Sequence, residues 1–169
     1  MARHTGPVLV DTNVIIECWR VGAWKALAGG YALETVGVCF VETQTGFQRR
    51  RPEEQIDSKV LTATLKAVHP VEDAEFAKAL TRDAEIGFLD AGEQALWAHA
   101  ASRTDNCVLC GPDKASLRIG IRLGLKDRLV SLDRLLRDVG FRSRIELKSA
   151  YTQKWLEQAL AQLAQREGK

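Results

Sequence analysis

The stretch Val8-Leu9-Val10-Asp11-Thr12-Asn13 decides the fold of this chain. Its apolar half predicts a short buried strand, and the polar pair Thr12-Asn13 predicts a turn before Val14-Ile15-Ile16 opens a helix. In open α/β sheets, ligands bind at the carboxyl ends of the parallel strands. The stretch therefore predicts that Asp11 lies at a ligand-binding edge.

Strand and helix patterns alternate along the chain, which is typical of a parallel sheet covered by helices. We predict a three-layer α/β/α fold with a mostly parallel sheet, in one domain over 1–169, with its core over about 7–140 and a C-terminal helix over about 150–166. The predicted strands are Val8–Val10, Tyr31–Val36, Leu65–Val71, Asn106–Cys110 and Leu129–Leu132. The predicted helices include Val38–Gln48, Pro112–Leu123 and Asp73–Ile86, the last with Phe76, Ala79, Leu80 and Ala84 on its inner face.

A second aspartate follows the fourth predicted strand, in the run Leu109-Cys110-Gly111-Pro112-Asp113. Asp11 and Asp113 face each other across one edge of the sheet only if strands one and four are neighbours. The strand order 3-2-1-4-5 has this property, because its switch point lies between those two strands.

Composition and length indicate an ordinary globular chain. Of its 169 residues, 46% are hydrophobic and 27% are charged, and no apolar run approaches the roughly 20 residues that span a bilayer. The first residues, Met1 to Pro7, show no signal-peptide pattern. We therefore expect a cytoplasmic protein with no membrane partner. Cys107 and Cys110 have metal-site spacing, but residues three apart on a strand point to opposite faces, so free buried thiols are expected.

Four carboxylates stand out: Asp11, Glu42, Glu93 and Asp113, the two glutamates in apolar helical surroundings. If they converge, they repel one another unless divalent cations hold them together. Each also has a structural explanation. Asp11 and Asp113 are good helix N-caps, and Glu42 would be satisfied by an arginine partner.

Glu93 has its own alternative, because Asp90 and Glu93 are spaced as a capping box. Capping alone would explain both residues. Gly92, however, is a poor helix former in the first turn of a helix. Its presence suggests a close approach by backbone or ligand.

Taken in order, these motifs resemble those of the PIN domain, a family of metal-dependent nucleases. The resemblance extends from Val8 to about Gly140, with Asp11, Glu42, Glu93 and Asp113 at its four acidic positions and Glu93 in the GE variant of the third motif. Thr12 and Asn13 match polar residues that support the first aspartate. The fourth motif departs from the family pattern, because Gly111-Pro112 stands where a serine or threonine is usual.

The resemblance implies phosphodiester hydrolysis, most often of RNA, with Mg²⁺ or Mn²⁺ held by the four carboxylates and supported by Thr12, Asn13 and Asp90. DNA stays open as a substrate. Many small bacterial members are the toxin half of a toxin–antitoxin pair, which implies an antitoxin protein as a partner. Trp19, Trp24 and Trp155 belong either to a dimer or partner surface or, as we favour, to the core.

Positive charge is concentrated in residues 111–148, with ten lysines and arginines against five acidic residues. This block is either a solvated surface or a phosphate-binding flank beside the acidic residues. The predicted substrate-binding residues are Arg49, Arg50, Lys114, Arg118 and Arg122.

Two other function classes remain open. A PIN-like module that binds nucleic acid or protein without cutting is consistent with the unusual Gly111-Pro112 segment. A phosphatase-like or receiver-like domain would use Asp11 as a phosphoryl acceptor, but Asp11 is followed by Thr-Asn and lacks the DxDx[TV] run of the aspartate-nucleophile phosphatases.

Overall fold

A five-stranded parallel sheet forms the centre of the molecule, in a computed structural model that describes residues 2–169. The strand order is β3-β2-β1-β4-β5, and every pairing is parallel. The predicted α/β class and order 3-2-1-4-5 are therefore confirmed. The strands are β1 (Val8–Val10), β2 (Leu33–Val36), β3 (Ala67–His69), β4 (Val108–Cys110) and β5 (Leu129–Val130).

Nine α-helices within the described residues connect and cover the strands. Short 3₁₀ turns join several of them, including Phe47–Arg49, Ala84–Phe88 and Ser149–Tyr151. The helices are α1 (Thr12–Arg20), α2 (Trp24–Gly30), α3 (Gly37–Thr43), α4 (Ser58–Thr64), α5 (Asp73–Arg82), α6 (Ala91–Ser102), α7 (Lys114–Arg122), α8 (Leu132–Asp138) and α9 (Gln153–Arg166).

The sheet has a separate apolar core on each face. Side chains alternate along a strand, so Leu9 packs with α5, α6, α7 and α9 on one face, whereas Val8 and Val10 pack with α1, α2 and α8 on the other. All three residues are fully buried, and each contributes roughly 1.5–3 kcal/mol by leaving water. This two-sided burial explains why β1 is a continuous apolar run rather than an alternating one.

The register of β1 and β4 positions the candidate site. Val10 pairs with Cys110, and the backbone N–H of Asp11 donates to the carbonyl of Cys110 at 3.1 Å. The chain therefore leaves both strands at the same level of the same edge. All four cysteines are buried and free, and Cys107 and Cys110 belong to the cores on opposite faces.

Several predicted elements are shorter in the structure. Helix α3 ends at Thr43 rather than Gln48, and Gly46 follows with a φ of 70°, a left-handed conformation that stops the helix. Helix α5 ends at Arg82. The predicted inner face is therefore only partly right. Ala79 is buried, but Leu80 is 41% exposed, and Ala84 lies beyond the end of the helix and is exposed.

At the C-terminus, helix α9 begins at Gln153 and packs on α7. Trp24 lies in the core, as favoured from the sequence, while Trp19 and Trp155 pack at its margins. Within residues 2–169 there is no helix whose length and apolarity would let it cross a membrane.

Candidate metal centre

Asp11 follows β1 directly and has the capping role that its sequence context suggested. It is the N-cap of α1, where its carboxylate accepts a hydrogen bond from the backbone N–H of Asn13 at 3.2 Å. The side chain is nonetheless buried, with 5% of its surface exposed. Asn13 supports Asp11 through its backbone, and its own side chain is exposed.

Glu42, on α3, is brought to the same place by Thr12. The hydroxyl of Thr12 donates to Oε2 of Glu42 at 2.7 Å, so the first residue of α1 holds Glu42 next to the helix cap Asp11. The expected arginine partner is present but does not neutralise the carboxylate. Arg50 donates instead to the backbone carbonyls of Glu42 and Thr43, both at 2.6 Å. Arg50 therefore shapes the end of α3 and leaves the charge of Glu42 uncompensated.

Glu93 and Asp90 form only half of the predicted capping box. Asp90 is the N-cap of α6 and accepts a hydrogen bond from the backbone N–H of Glu93 at 2.9 Å. The reciprocal bond from the Asp90 backbone to the Glu93 side chain is not formed. The buried carboxylate of Glu93, 6% exposed, is therefore not explained by capping.

Gly92 explains how the second and third acidic positions approach each other. A Cβ atom at this position would lie 2.8 Å from Oε2 and 3.1 Å from Oε1 of Glu42, and 3.2 Å from Sγ of Cys39. The close approach expected from the sequence is thus made by a carboxylate of the site itself. Only a residue without a side chain leaves room for Glu42 against the first turn of α6.

Asp113 lies beyond β4 and is the N-cap of α7, accepting hydrogen bonds from the backbone N–H groups of Ala115 and Ser116 at 2.7 and 3.1 Å. The departure at Gly111-Pro112 does not displace it from the edge. A Cβ at Gly111 would lie 3.5 Å from Cβ of Asp11, so the two strand ends lie side by side.

We call Asp11, Glu42, Asp90, Glu93 and Asp113 the acidic cluster. Burial, reinforced by the charges of Asp90 and Glu42, raises the pKa of Asp11 to about 7. Burial, reinforced by the charges of Asp113, Asp90 and Asp11, raises the pKa of Glu93 to about 8. The charges of the other members therefore act on Asp11 and Glu93, although the members come from four separate parts of the chain.

The acidic cluster has no cationic partner. Among residues 2–169, no lysine, arginine or histidine forms an ion pair with any of its five members. Buried charges are ordinarily paired or bound to a metal. The oxygen donors, without histidine or thiolate, suit Mg²⁺ or Mn²⁺. In the described part of the chain, however, no three acidic, histidine or cysteine side chains are gathered closely enough to ligate one ion.

A stability measurement tests this repulsion directly. A carboxyl whose pKa is raised from 3.8 to about 7 by folding contributes stability at low pH that is lost as the pH rises between those values. Asp11→Asn removes this loss, so without added metal we expect its Tm to exceed that of the wild type by about 5 °C at pH 8 and by nothing at pH 4.

Asp57→Asn is the matched control for this measurement. Asp57 is also an N-cap aspartate, on α4, but it is exposed, and asparagine caps a helix as well as aspartate does. Its Tm is expected to match that of the wild type at both pH values. If the wild type and Asp11→Asn have the same Tm at pH 8, an uncompensated charge on Asp11 does not destabilise the fold.

Of the five basic residues predicted to bind substrate, Arg50 is bonded to the carbonyls of Glu42 and Thr43, and the other four divide into two groups. Lys114, beside Asp113, and Arg49 are exposed. Arg122 pairs with Asp83 at 2.5 Å, and Arg118 pairs with Glu85 at 2.6 Å. Both arginines also bind Glu167, tying α7 to the C-terminus. Binding phosphate through Arg118 or Arg122 would break these contacts. Lys114 and Arg49 form no ion pair with a residue of the described range 2–169 and are therefore the cations that remain available.

Sequence reasoning missed a second polar cluster, centred on Glu34 of β2. Glu34 is 7% exposed and binds Arg103 at 2.8 Å and the ring of His69. The ring of His69 stacks on that of His99 at 4.1 Å. Burial raises the pKa of Glu34, but the hydrogen bonds from Arg103 and His69 outweigh it and lower the pKa. One charged residue within an apolar strand was the only sequence signal.

No family model and no curated protein matches this chain.

Proposed function

We propose that this protein is a PIN-type nuclease that hydrolyses phosphodiester bonds of RNA with the help of Mg²⁺ or Mn²⁺. The observation that carries the proposal is the acidic cluster, five carboxylates without a cationic partner, of which Asp11 and Asp113 follow β1 and β4 and the others come from α3 and the start of α6. A protein that needed these residues only as helix caps would have no reason to bury Asp11 and Glu93.

In this proposal, Asp11, Glu42, Glu93 and Asp113 hold the cations, and Thr12 fixes Glu42 through the bond described above. When bound, the cations activate water and stabilise the charge that develops on the phosphate and the leaving oxygen. Asp11 is the most central of the four, since it lies between Glu42 and the residues that follow β4. Lys114 and Arg49 are placed to bind the substrate backbone, a contact that does not read sequence.

The toxin half of a toxin–antitoxin pair is the biological setting that the resemblance favours. An antitoxin and a second copy of the chain are the protein partners proposed with it. The antitoxin follows from the PIN resemblance, whereas the second copy follows from the apolar side chains of Trp19 and Trp155, which pack at the margins of the core.

Cleavage of labelled single-stranded RNA tests the proposal. We expect the wild type to cut with Mg²⁺ or Mn²⁺ and to be inactive in EDTA. Asp11→Asn is expected to lower the rate about 1,000-fold, because it removes a central charge from the site. Equal cutting by the wild type and Asp11→Asn would indicate a contaminant and would refute the assignment of Asp11.

Metal binding is testable without catalysis. Mg²⁺ or Mn²⁺ is expected to raise the Tm of the wild type, because a cation that binds only the folded state stabilises it. The cation should leave the Tm of Asp11→Asn unchanged. A wild type whose Tm does not respond to either metal would argue against the proposed centre.

A non-catalytic PIN-like module is the second candidate. It is favoured by one observation, the absence of any three described ligands arranged around a single point. RNA binding without metal-dependent cutting would support this candidate over the nuclease.

A further inference from the structure

Phe88 is exposed to a degree unusual for a phenylalanine. It ends the 3₁₀ turn Ala84–Phe88, and 89% of its surface is accessible to solvent. Its two apolar neighbours behave differently, since Ile86 and Leu89 are buried at 1% and 7% exposure. The turn is therefore anchored in the core on both sides while the aromatic ring projects into water.

The turn that carries Phe88 is also fixed by polar contacts. The side-chain amide of Gln94, on α6, donates to the carbonyls of Gly87 and Leu89 at 3.1 and 2.7 Å. These carbonyls flank Phe88 in the chain. The ring is thus presented from a held backbone, so little conformational freedom remains to be lost when a ligand packs on it.

The position of Phe88 relates it to the acidic cluster. Asp90, two residues further on, caps α6 by accepting a hydrogen bond from the backbone N–H of Glu93 at 2.9 Å. Two residues span at most about 7 Å. The backbone of Phe88 therefore lies within that distance of Asp90, a member of the acidic cluster.

The surroundings favour a small planar group over a protein surface. The exposed residues next to Phe88 in the chain are small or acidic, namely Ala84, Gly87, Asp90 and Ala91. Leu80 of α5, 41% exposed, lies against Gly87 and is one apolar side chain beside the ring's own turn. Protein interfaces require a continuous apolar patch of several hundred Å². One aromatic ring, in contrast, is enough to stack one nucleobase, and stacking tolerates any base because every base has a π face.

We infer that Phe88 is a stacking platform for one unpaired nucleobase of a single-stranded RNA whose phosphodiester lies at the acidic cluster. This inference rests on the proposed nuclease function and narrows its substrate class. A duplex keeps its bases stacked within the helix, so the platform selects single-stranded segments and loops.

Binding of a labelled, cleavage-resistant analogue of single-stranded RNA to the wild type, the parent protein here, measured with Mg²⁺, tests the inference. Phe88→Ala is expected to weaken binding about 10-fold. Phe88→Leu keeps the apolar character of the residue but loses the aromatic ring, so it should weaken binding by a similar factor. Phe88→Trp should bind at least as tightly as the parent. Since Phe88 is exposed, its variants should retain the parent Tm. Ile145→Ala is the control, because Ile145 is also an exposed apolar residue and precedes Glu146, whose carbonyl accepts a hydrogen bond from Arg20 at the end of α1. It should leave binding unchanged.

An abasic scan identifies stacking itself. The base is removed at each RNA position in turn, and the affinities of the parent and of Phe88→Ala are compared for each abasic RNA. At one position, that of the stacked base, the two proteins should bind with equal affinity. Parent-level binding by Phe88→Ala, or a loss that persists with every abasic RNA, would overturn the inference while leaving wild-type cleavage intact. A Phe88→Ala variant that binds RNA normally but fails to self-associate would assign the ring to a protein partner. Failure of wild-type cleavage together with failure of the parent to bind RNA would instead refute the proposed function.

Discussion

Gly92→Ala is expected to lower metal-dependent cleavage about 100-fold while leaving the protein folded. The added methyl group would lie 2.8 Å from Oε2 of Glu42, a distance that forces the flexible end of that side chain to move. Glu42 then loses its bond to Thr12 and its place in the acidic cluster, and small displacements of such groups are costly in active sites. Alanine is the better helix former, so the free energy of unfolding should change by less than about 1 kcal/mol.

Gly29→Ala provides the matched control for this prediction. Gly29 also lies in a helix, α2, and a Cβ there meets no atom within 4 Å. Its activity should equal that of the wild type. Rates and Tm values for both variants would be measured together. If Gly92→Ala cuts as fast as Gly29→Ala, the close packing of Glu42 against α6 has no functional role.

A double-mutant cycle connects the effect to Glu42. In a Glu42→Ala background the obstructing carboxylate is absent, so adding Gly92→Ala should cause no further loss of residual activity. A further loss of similar size in that background would show that Gly92 acts through another contact, such as Cys39.

The sequence predicted the sheet and the site edge because both depend on local pattern. The apolar run of β1 and the strand-end aspartates Asp11 and Asp113 pointed to neighbouring strands one and four, which is one of the pairings of the observed order. Gly92 was informative for the same reason. A glycine in a first helical turn is locally unfavourable, and its tertiary cause is the carboxylate of Glu42.

Features that depend on long-range pairing were not predictable in the same way. Arg118 and Arg122 look like a phosphate-binding pair on one helix face, but their partners Asp83, Glu85 and Glu167 are distant in sequence. Phe88 presented the opposite problem. A phenylalanine between apolar neighbours suggests core, and only the fold shows which of them is exposed.

Arg103→Ala is expected to destabilise the protein by about 3 kcal/mol at pH 7, the largest effect on stability anticipated here. The substitution leaves Glu34 buried without its main counter-charge, and His69 alone offers a weaker partner. Because the bonds to Arg103 and His69 lower the pKa of Glu34 below its ordinary value of 4.5, they contribute stability above that pH which is lost as the pH falls. The difference between the variant and the wild type should therefore shrink toward pH 4. Chemical denaturation at both pH values measures it.

Two further variants separate unpaired charge from lost packing. Arg82→Ala removes an exposed arginine that donates to the carbonyl of Ala101 on α6, and it should cost less than about 1 kcal/mol. Adding Glu34→Gln to Arg103→Ala removes the stranded charge and should restore most of the lost stability. If the double variant is as unstable as Arg103→Ala, then the packing of the aliphatic part of the Arg103 side chain, and not the charge of its guanidinium group, holds α6 against β2. Glu34 and Arg103 form no ion pair with Asp11, Glu42 or Glu93, so either result concerns only this polar cluster. Metal-dependent cleavage by the folded fraction should therefore be unchanged.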